Sequence, residues 1–287
     1  PMKIVAVLLG ALPLAGLLAA CSGEAQTDGT RVVASFYPFA YVAEQVGGSH
    51  VDVGNLTSPG VEPHDVELRP KQVGAVQTAD LVIYQRGFQN AVDDAVDRAD
   101  RSSDDVVDVA TLVPSSKDPH SWLDPRTMVA VTNAVEARLS KVDPARAASY
   151  ASRAERLEGQ LNQLDQELAT GLKSCRIRTI VTSHAAFGHL ARRYGLTQVP
   201  IAGIDPTNEP TPSELADISA LVRREGITTV FTEELVSPAV AKTVARETGA
   251  RTATLDPIEG LAEDSDATYL SLMRRNLDAI RKANSCS

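Results

Sequence analysis

What most constrains this 287-residue chain is a rhythm. Eight short runs, apolar and rich in β-branched residues, fall at 31–36 (RVVASF), 51–57, 80–84 (DLVIY), 105–109, 179–183 (TIVTS), 197–201, 228–232 (TTVFT) and 251–255. Runs of this kind suit strands buried on both faces of a parallel sheet. Helical stretches lie between many of them, at 38–46, 70–77, 187–194, 212–224 and 238–248. Several open at proline, which is pre-set for a first helical turn. The alternation predicts an α/β protein with covered parallel sheets.

The rhythm breaks once. From 125 to 173 there is no strand candidate. Residues 126–141 read as one helix, and Asp143-Pro144 restarts another as a capping residue followed by proline at the first position. Its apolar positions Leu157, Leu161, Leu164 and Leu168 are spaced by three and four. A helix of about 30 residues would be roughly 45 Å long, with Gly159 and Gly171 weakening it slightly. A coiled-coil dimer is the alternative, but the seam spans barely two heptads. The expected architecture is therefore a monomer of two lobes with mostly parallel sheets, joined by one long rigid linker helix. Its parts are an N-terminal lobe over 31–142, the linker over 143–173 and a C-terminal lobe over 174–287.

Lys3 precedes an uncharged apolar run over 4–20, which ends in small residues and Cys21. That order describes an export signal over 1–20. A membrane-spanning helix is the alternative; the run reaches only the lower edge of the spanning range and contains Pro13. Residues 21–30, small and polar, read as a flexible tether. The formal net charge of −9 becomes −10 once Lys3 is removed with the signal, so nucleic acid is not an expected partner. Beyond Cys21 two cysteines remain, Cys175 and Cys286. In an exported chain they suggest one disulfide, two independent thiols being the alternative. They lack CxxC spacing and are poor metal-ligand candidates.

The histidines are His50, His64, His120, His184 and His189. His64 (in SPGVEPHDVELRP), His120 (in DPHSWLDP) and His184 (directly after TIVTS) all fall past carboxyl ends of predicted strands, the edge where open α/β sheets bind ligands. Asp256, in TLDPIEG, follows another strand. Three imidazoles and one carboxylate would form a four-coordinate set suited to zinc, although Asp-Pro is also common turn chemistry. His50 sits in a polar turn and reads as surface. His189, five residues past His184 on a helix, is turned away from it and reads as packing or solvent-facing. Asp124 is either a hydrogen-bond partner for an imidazole N–H or the cap of the helix starting at Pro125. Glu233 and Glu234 end a strand and read as lobe-interface residues or partners of a ligand. Trp122, the only tryptophan, would shield or wedge the His120 loop.

The stretches SFYPFAYVAEQVGG, EPHDVELRP, QTADLVIY, DPHSWLDP, TSHAAFGHLARRYGL, VFTEELVSPAVAKTVARETGA and TLDPIEG, in this order over 31–260, resemble the metal-binding lipoproteins of bacterial zinc and manganese ABC transporters. LAAC, ending at Cys21, resembles the lipoprotein signal box of that kind of protein, which implies lipidation of Cys21 and anchoring at the outer face of the cytoplasmic membrane. The resemblance implies two α/β lobes joined by a rigid helix with metal between them, and ligands at His64, His120, His184 and Asp256. Manganese binders resemble this region with Glu at the third position; His184 favours zinc. Many zinc-type members carry a histidine-rich loop before the second ligand, whereas residues 112–117 (LVPSSK) contain no histidine. The expected function is extracytoplasmic capture of Zn2+ and delivery to an ABC permease, with a metallochaperone as a further partner. The rival readings are a manganese- or copper-binding transport component, a zinc hydrolase and a metal-binding adhesin. Nothing in the chain resembles the HExxH pattern of a zinc enzyme.

Overall fold

The computed structural model describes Met2, residues 29–114 and residues 116–287. The expected signal apart from Met2, most of the tether and the expected lipidation position Cys21 lie outside the described residues. Eight strands form where the apolar runs predict them: β1 (Thr30–Ala34), β2 (Val51–Asn55), β3 (Leu81–Tyr84), β4 (Val106–Asp108), β5 (Thr179–Thr182), β6 (Thr197–Pro200), β7 (Thr229–Thr232) and β8 (Arg251–Thr254). They build two four-stranded sheets, ordered β2-β1-β3-β4 and β6-β5-β7-β8, with every pairing parallel.

The helices are α1 (Tyr37–Gly47), α2 (Pro70–Thr78), α3 (Asn90–Ala99), α4 (Pro125–Val142), α5 (Ala147–Gly171), α6 (Gly188–Arg193), α7 (Pro212–Glu225), α8 (Ala239–Thr248) and α9 (Tyr269–Asn284). Sequence reasoning assigned neither α3 nor α9. Among the described residues no helix is long and apolar enough to cross a membrane.

Side-chain alternation along the strands divides the interior. Val32, Ala34, Leu81, Ile83, Ile180 and Phe231 point to one shared core, whereas Val33, Val82 and Tyr84 meet α2 and α3, and Val181 and Val230 meet α7 and α8. The buried stripe of α5 (Tyr150, Ala154, Leu157, Leu161, Leu164, Leu168) runs through the shared core. The linker is thus a wall of both lobes rather than a free rod. Two ion pairs fasten it to the C-terminal lobe: Arg193 Nη2 lies 2.6 Å from Asp165 Oδ2, and Arg274 Nε 2.7 Å from Glu167 Oε2.

The linker differs in one detail from expectation. Residues Pro144–Arg146 form a 3-10 turn before α5, with Asp143 at the capping position but making no side-chain capping bond to it. Its carboxylate accepts from the Arg146 guanidinium and the Tyr150 hydroxyl instead. A disulfide joins Cys175 to Cys286, closing a loop of 111 residues and tying the end of α9 to the end of the linker.

Candidate metal centre

Loops that leave the carboxyl ends of two strands in each sheet converge. Loops after β2, β4, β5 and β8 carry His64, His120, His184 and Glu259, one donor atom from each lying within 4.8 Å of the others. The Nε2 atoms of His64 and His120 are 3.4 Å apart, and those of His120 and His184 3.3 Å. Glu259 Oε1 lies 3.5, 3.1 and 3.3 Å from the Nε2 atoms of His64, His120 and His184. These five separations, 3.1–3.5 Å, are in the range expected of tetrahedral donors about 2 Å from a shared ion, the length of zinc–imidazole and zinc–carboxylate bonds.

Two carboxylates orient the rings. Asp118 Oδ1 accepts from His120 Nδ1 at 2.8 Å and from its backbone N–H at 3.0 Å. Glu233 Oε2 accepts from His184 Nδ1 at 2.8 Å. An ionised carboxylate only accepts, so each Nδ1 carries a proton and each Nε2 faces inward, where its lone pair can go to a metal ion. His64 packs edge-on against Phe88, and its backbone N–H donates to Glu62 Oε2 at 3.1 Å.

The electrostatics favour a cation. Side chains of His120 and His184 are fully buried and that of Glu259 is 2% exposed. Burial alone would raise the Glu259 carboxyl, but the three imidazoles hold it well below the ordinary carboxylate range. Its Oε1 is buried without a hydrogen-bond partner, although three Nε2 atoms stand within ion-pair distance. Inward ring nitrogens facing an ionised oxygen need positive charge between them, supplied by protons on the rings or by a metal ion that displaces them. Burial also opposes charge on His184, yet Glu233 and Glu259 outweigh it and hold its pKa up at about 10. Glu62, pushed up by burial, titrates at about 7.

The structure brings the three expected histidines together and corrects the carboxylate. Asp256 is not among the converging donors. Its Oδ1 accepts from the Ile258 backbone N–H at 2.7 Å, a turn closed by a side chain on its own backbone. That turn holds Ile258 at φ 57°, a conformation costing a β-branched residue about 1–3 kcal/mol, and the chain emerging from it points Glu259 at the histidines. For Asp124 the structure favours the cap among the two expected readings. It accepts from the Arg126 N–H, capping α4, and lies 3.2 Å from Arg193 Nε; the partner of His120 is Asp118.

Glu233, expected as a lobe-interface residue or a partner of some ligand, is the partner of His184, while Glu234 is exposed. His189 donates from Nε2 to the Asp118 carbonyl at 3.0 Å, bracing the His120 loop from α6. His50 sits half-exposed in a 3-10 turn. Sequence reasoning missed Glu259, Asp118 and Glu62. Asp118 lies two residues before a histidine already singled out, and Glu259 three residues after Asp256, so proximity within the quoted motifs was the available signal.

Two parallel-sheet lobes on a shared buried helix, with a three-histidine, one-carboxylate cage at their strand ends, define a two-lobed cation-binding protein. Comparison with known proteins agrees. The family model described as "Zinc-uptake complex component A periplasmic" matches residues 32–283, and the chain belongs to that family. The zinc-binding lipoprotein AdcA of Streptococcus pneumoniae is 31% identical over 306 aligned residues, covering 98% of this chain. This chain spans 61% of that relative's length. The high-affinity zinc uptake system protein ZnuA of Bacillus subtilis is also 31% identical, with 92% of this chain and 93% of the relative covered. Among solved structures, the Zn(II)-bound ZnuA-like domain of S. pneumoniae AdcA superposes with TM-score 0.78 at 31% identity, over 89% of this chain and 99% of that one. The laminin-binding protein Lmb of Streptococcus agalactiae, described as having adhesin and metal-transporting activity, gives 0.81 at 32% identity, over 89% and 99%.

Proposed function

We propose that this protein captures Zn2+ outside the cytoplasmic membrane, at a site made by His64, His120, His184 and Glu259, and delivers it to an ABC permease. The single observation that carries this reading is the convergence of three imidazole nitrogens and one carboxylate oxygen at separations of 3.1–3.5 Å, which suit the four ligands of a zinc ion. Three imidazoles make the set softer than the oxygen-rich sites manganese prefers. The zinc-binding relatives support the same metal. Two α/β lobes over 31–142 and 174–287, a lipid on Cys21 and anchorage at the outer face of the membrane complete the proposal. The protein acts as a monomer, receiving zinc directly or from a metallochaperone.

The role is transport rather than catalysis. A hydrolytic zinc keeps an open position for water, whereas four protein donors here converge on one centre. Capture and release proceed through the loops that carry the ligands, because the linker is packed into the shared core and resists bending.

Isothermal titration of the full chain with zinc tests the reading. The expected result is one tight zinc per chain, with large losses of affinity on replacing His64, His120, His184 or Glu259 by alanine. Absence of a tight site, or unchanged affinity in those variants, overturns it.

A further inference from the structure

The segment delivering Glu259 is held with unusual completeness. Asn276, on α9 and 2% exposed, accepts from the Asp256 backbone N–H at 2.8 Å and donates to its carbonyl at 2.6 Å. The Pro257 carbonyl accepts from the Trp122 indole N–H at 2.8 Å, in a buried bond between residues 135 apart. The Ile258 N–H is taken by Asp256 Oδ1. Pro257 has no N–H of its own. From the Asp256 amide to the Ile258 amide, every backbone donor or acceptor is therefore bound by a side chain.

Trp122 also belongs to the other half of the site. It follows His120 by two residues, and its ring centroid lies 5.2 Å from that of the imidazole. Its carbonyl accepts from the Tyr269 hydroxyl at 2.6 Å, at the first residue of α9. A single buried indole thus touches a ligand from the first lobe and the backbone that aims the ligand from the second.

We propose that Trp122 and Asp256 are positioning residues for Glu259: together they fix the only carboxylate of the cage against the histidines and so set how slowly zinc leaves. This rests on the metal-site reading above and deepens it. With Trp122 or Asp256 loosened, Glu259 swings on a mobile peptide and the cage opens at that corner. Partners of this kind, one bond behind a ligand, change metal affinity by about 10–100-fold.

The test uses the full chain loaded with zinc and an excess of a chromophoric chelator. It measures release rate and equilibrium affinity for wild type, Trp122→Phe, Asp256→Ala, Asp256→Asn and Glu259→Gln. Trp122→Phe keeps an aromatic ring but loses the indole N–H. Asp256→Asn keeps an oxygen able to accept from Ile258. Release is expected to be at least about tenfold faster in Trp122→Phe and Asp256→Ala, and close to wild type in Asp256→Asn, a rescue that ligation of zinc by the Asp256 carboxylate would not allow. Wild-type release rates in both Trp122→Phe and Asp256→Ala overturn the inference while leaving the site intact. Asp256→Asn as weak as Glu259→Gln overturns it by making Asp256 a ligand. Failure of the wild type to bind zinc overturns the site and the inference together. If Asp256→Ala does not fold, as judged by circular dichroism without metal, Trp122→Phe alone decides.

Discussion

Shortening one ligand by one methylene tests the cage most directly. In Glu259→Asp the carboxylate oxygen retracts by about 1.5 Å, one carbon–carbon bond. A zinc–carboxylate bond is about 2.0 Å, so the shortened side chain would leave its oxygen up to about 3.5 Å from zinc held by the imidazoles, outside bonding range. The backbone cannot advance to compensate, because Asn276, Trp122 and Asp256 hold residues 256–258. Zinc then keeps three imidazoles and takes a solvent oxygen in place of an anionic ligand. Losing a ligand should cost at least the upper end of the 10–100-fold that losing an outer partner costs; a hundredfold loss is about 2.7–2.8 kcal/mol. Competition with a chelator of known affinity measures this, and X-ray absorption reads the metal–ligand distances. Unchanged affinity in Glu259→Asp would refute the argument, since it would mean that the carboxylate does not close the tetrahedron.

Three other predictions concern protons and stability. His184 in the metal-free protein holds its proton up to about 10, so zinc binding near pH 7.5 should release protons and apparent affinity should rise with pH; calorimetry in buffers of different ionisation enthalpy measures the number, and zero contradicts the site. Burial alone would raise the Asp165 carboxyl, but Arg193 and Tyr194 hold it below the ordinary range. Its ionised form therefore adds stability that is full above the unfolded value of about 3.9 and is lost as pH falls through the lowered folded value. Asp165→Asn should lose about 1–3 kcal/mol at neutral pH, between exposed and fully buried pairs, and should lack that part of the acid dependence in urea unfolding. Opening the 111-residue loop with Cys175→Ser and Cys286→Ser together should cost up to about 4–5 kcal/mol, visible as a lower thermal midpoint; an unchanged midpoint counts against a stabilising bridge.

Much of the architecture was legible because buried parallel strands write themselves as short apolar runs. Each of β1–β8 falls on such a run, and α5 on its leucine stripe. Helix α9 escaped notice although it is amphipathic: it lies beyond the last strand candidate, where no alternation frames it, and Leu272, Met273 and Ile280 are buried only against the shared core. Helix α3 is short and acidic, with Val92, Ala95 and Val96 as its buried face.

The sequence by itself determined which strands form and which three histidines lie past their ends, because strand burial and strand ends are local properties of the pattern. It did not determine the fourth donor. Asp256 and Glu259 lie three residues apart in the loop after β8, and both are carboxylates. The choice between them depends on Asn276, 20 residues from Asp256, and on Trp122, 135 residues from Pro257, which bind the backbone so that Asp256 turns onto its own chain and Glu259 faces the histidines. Donor direction is set by hydrogen bonds between distant segments, and those exist only once the two lobes have folded against the common helix.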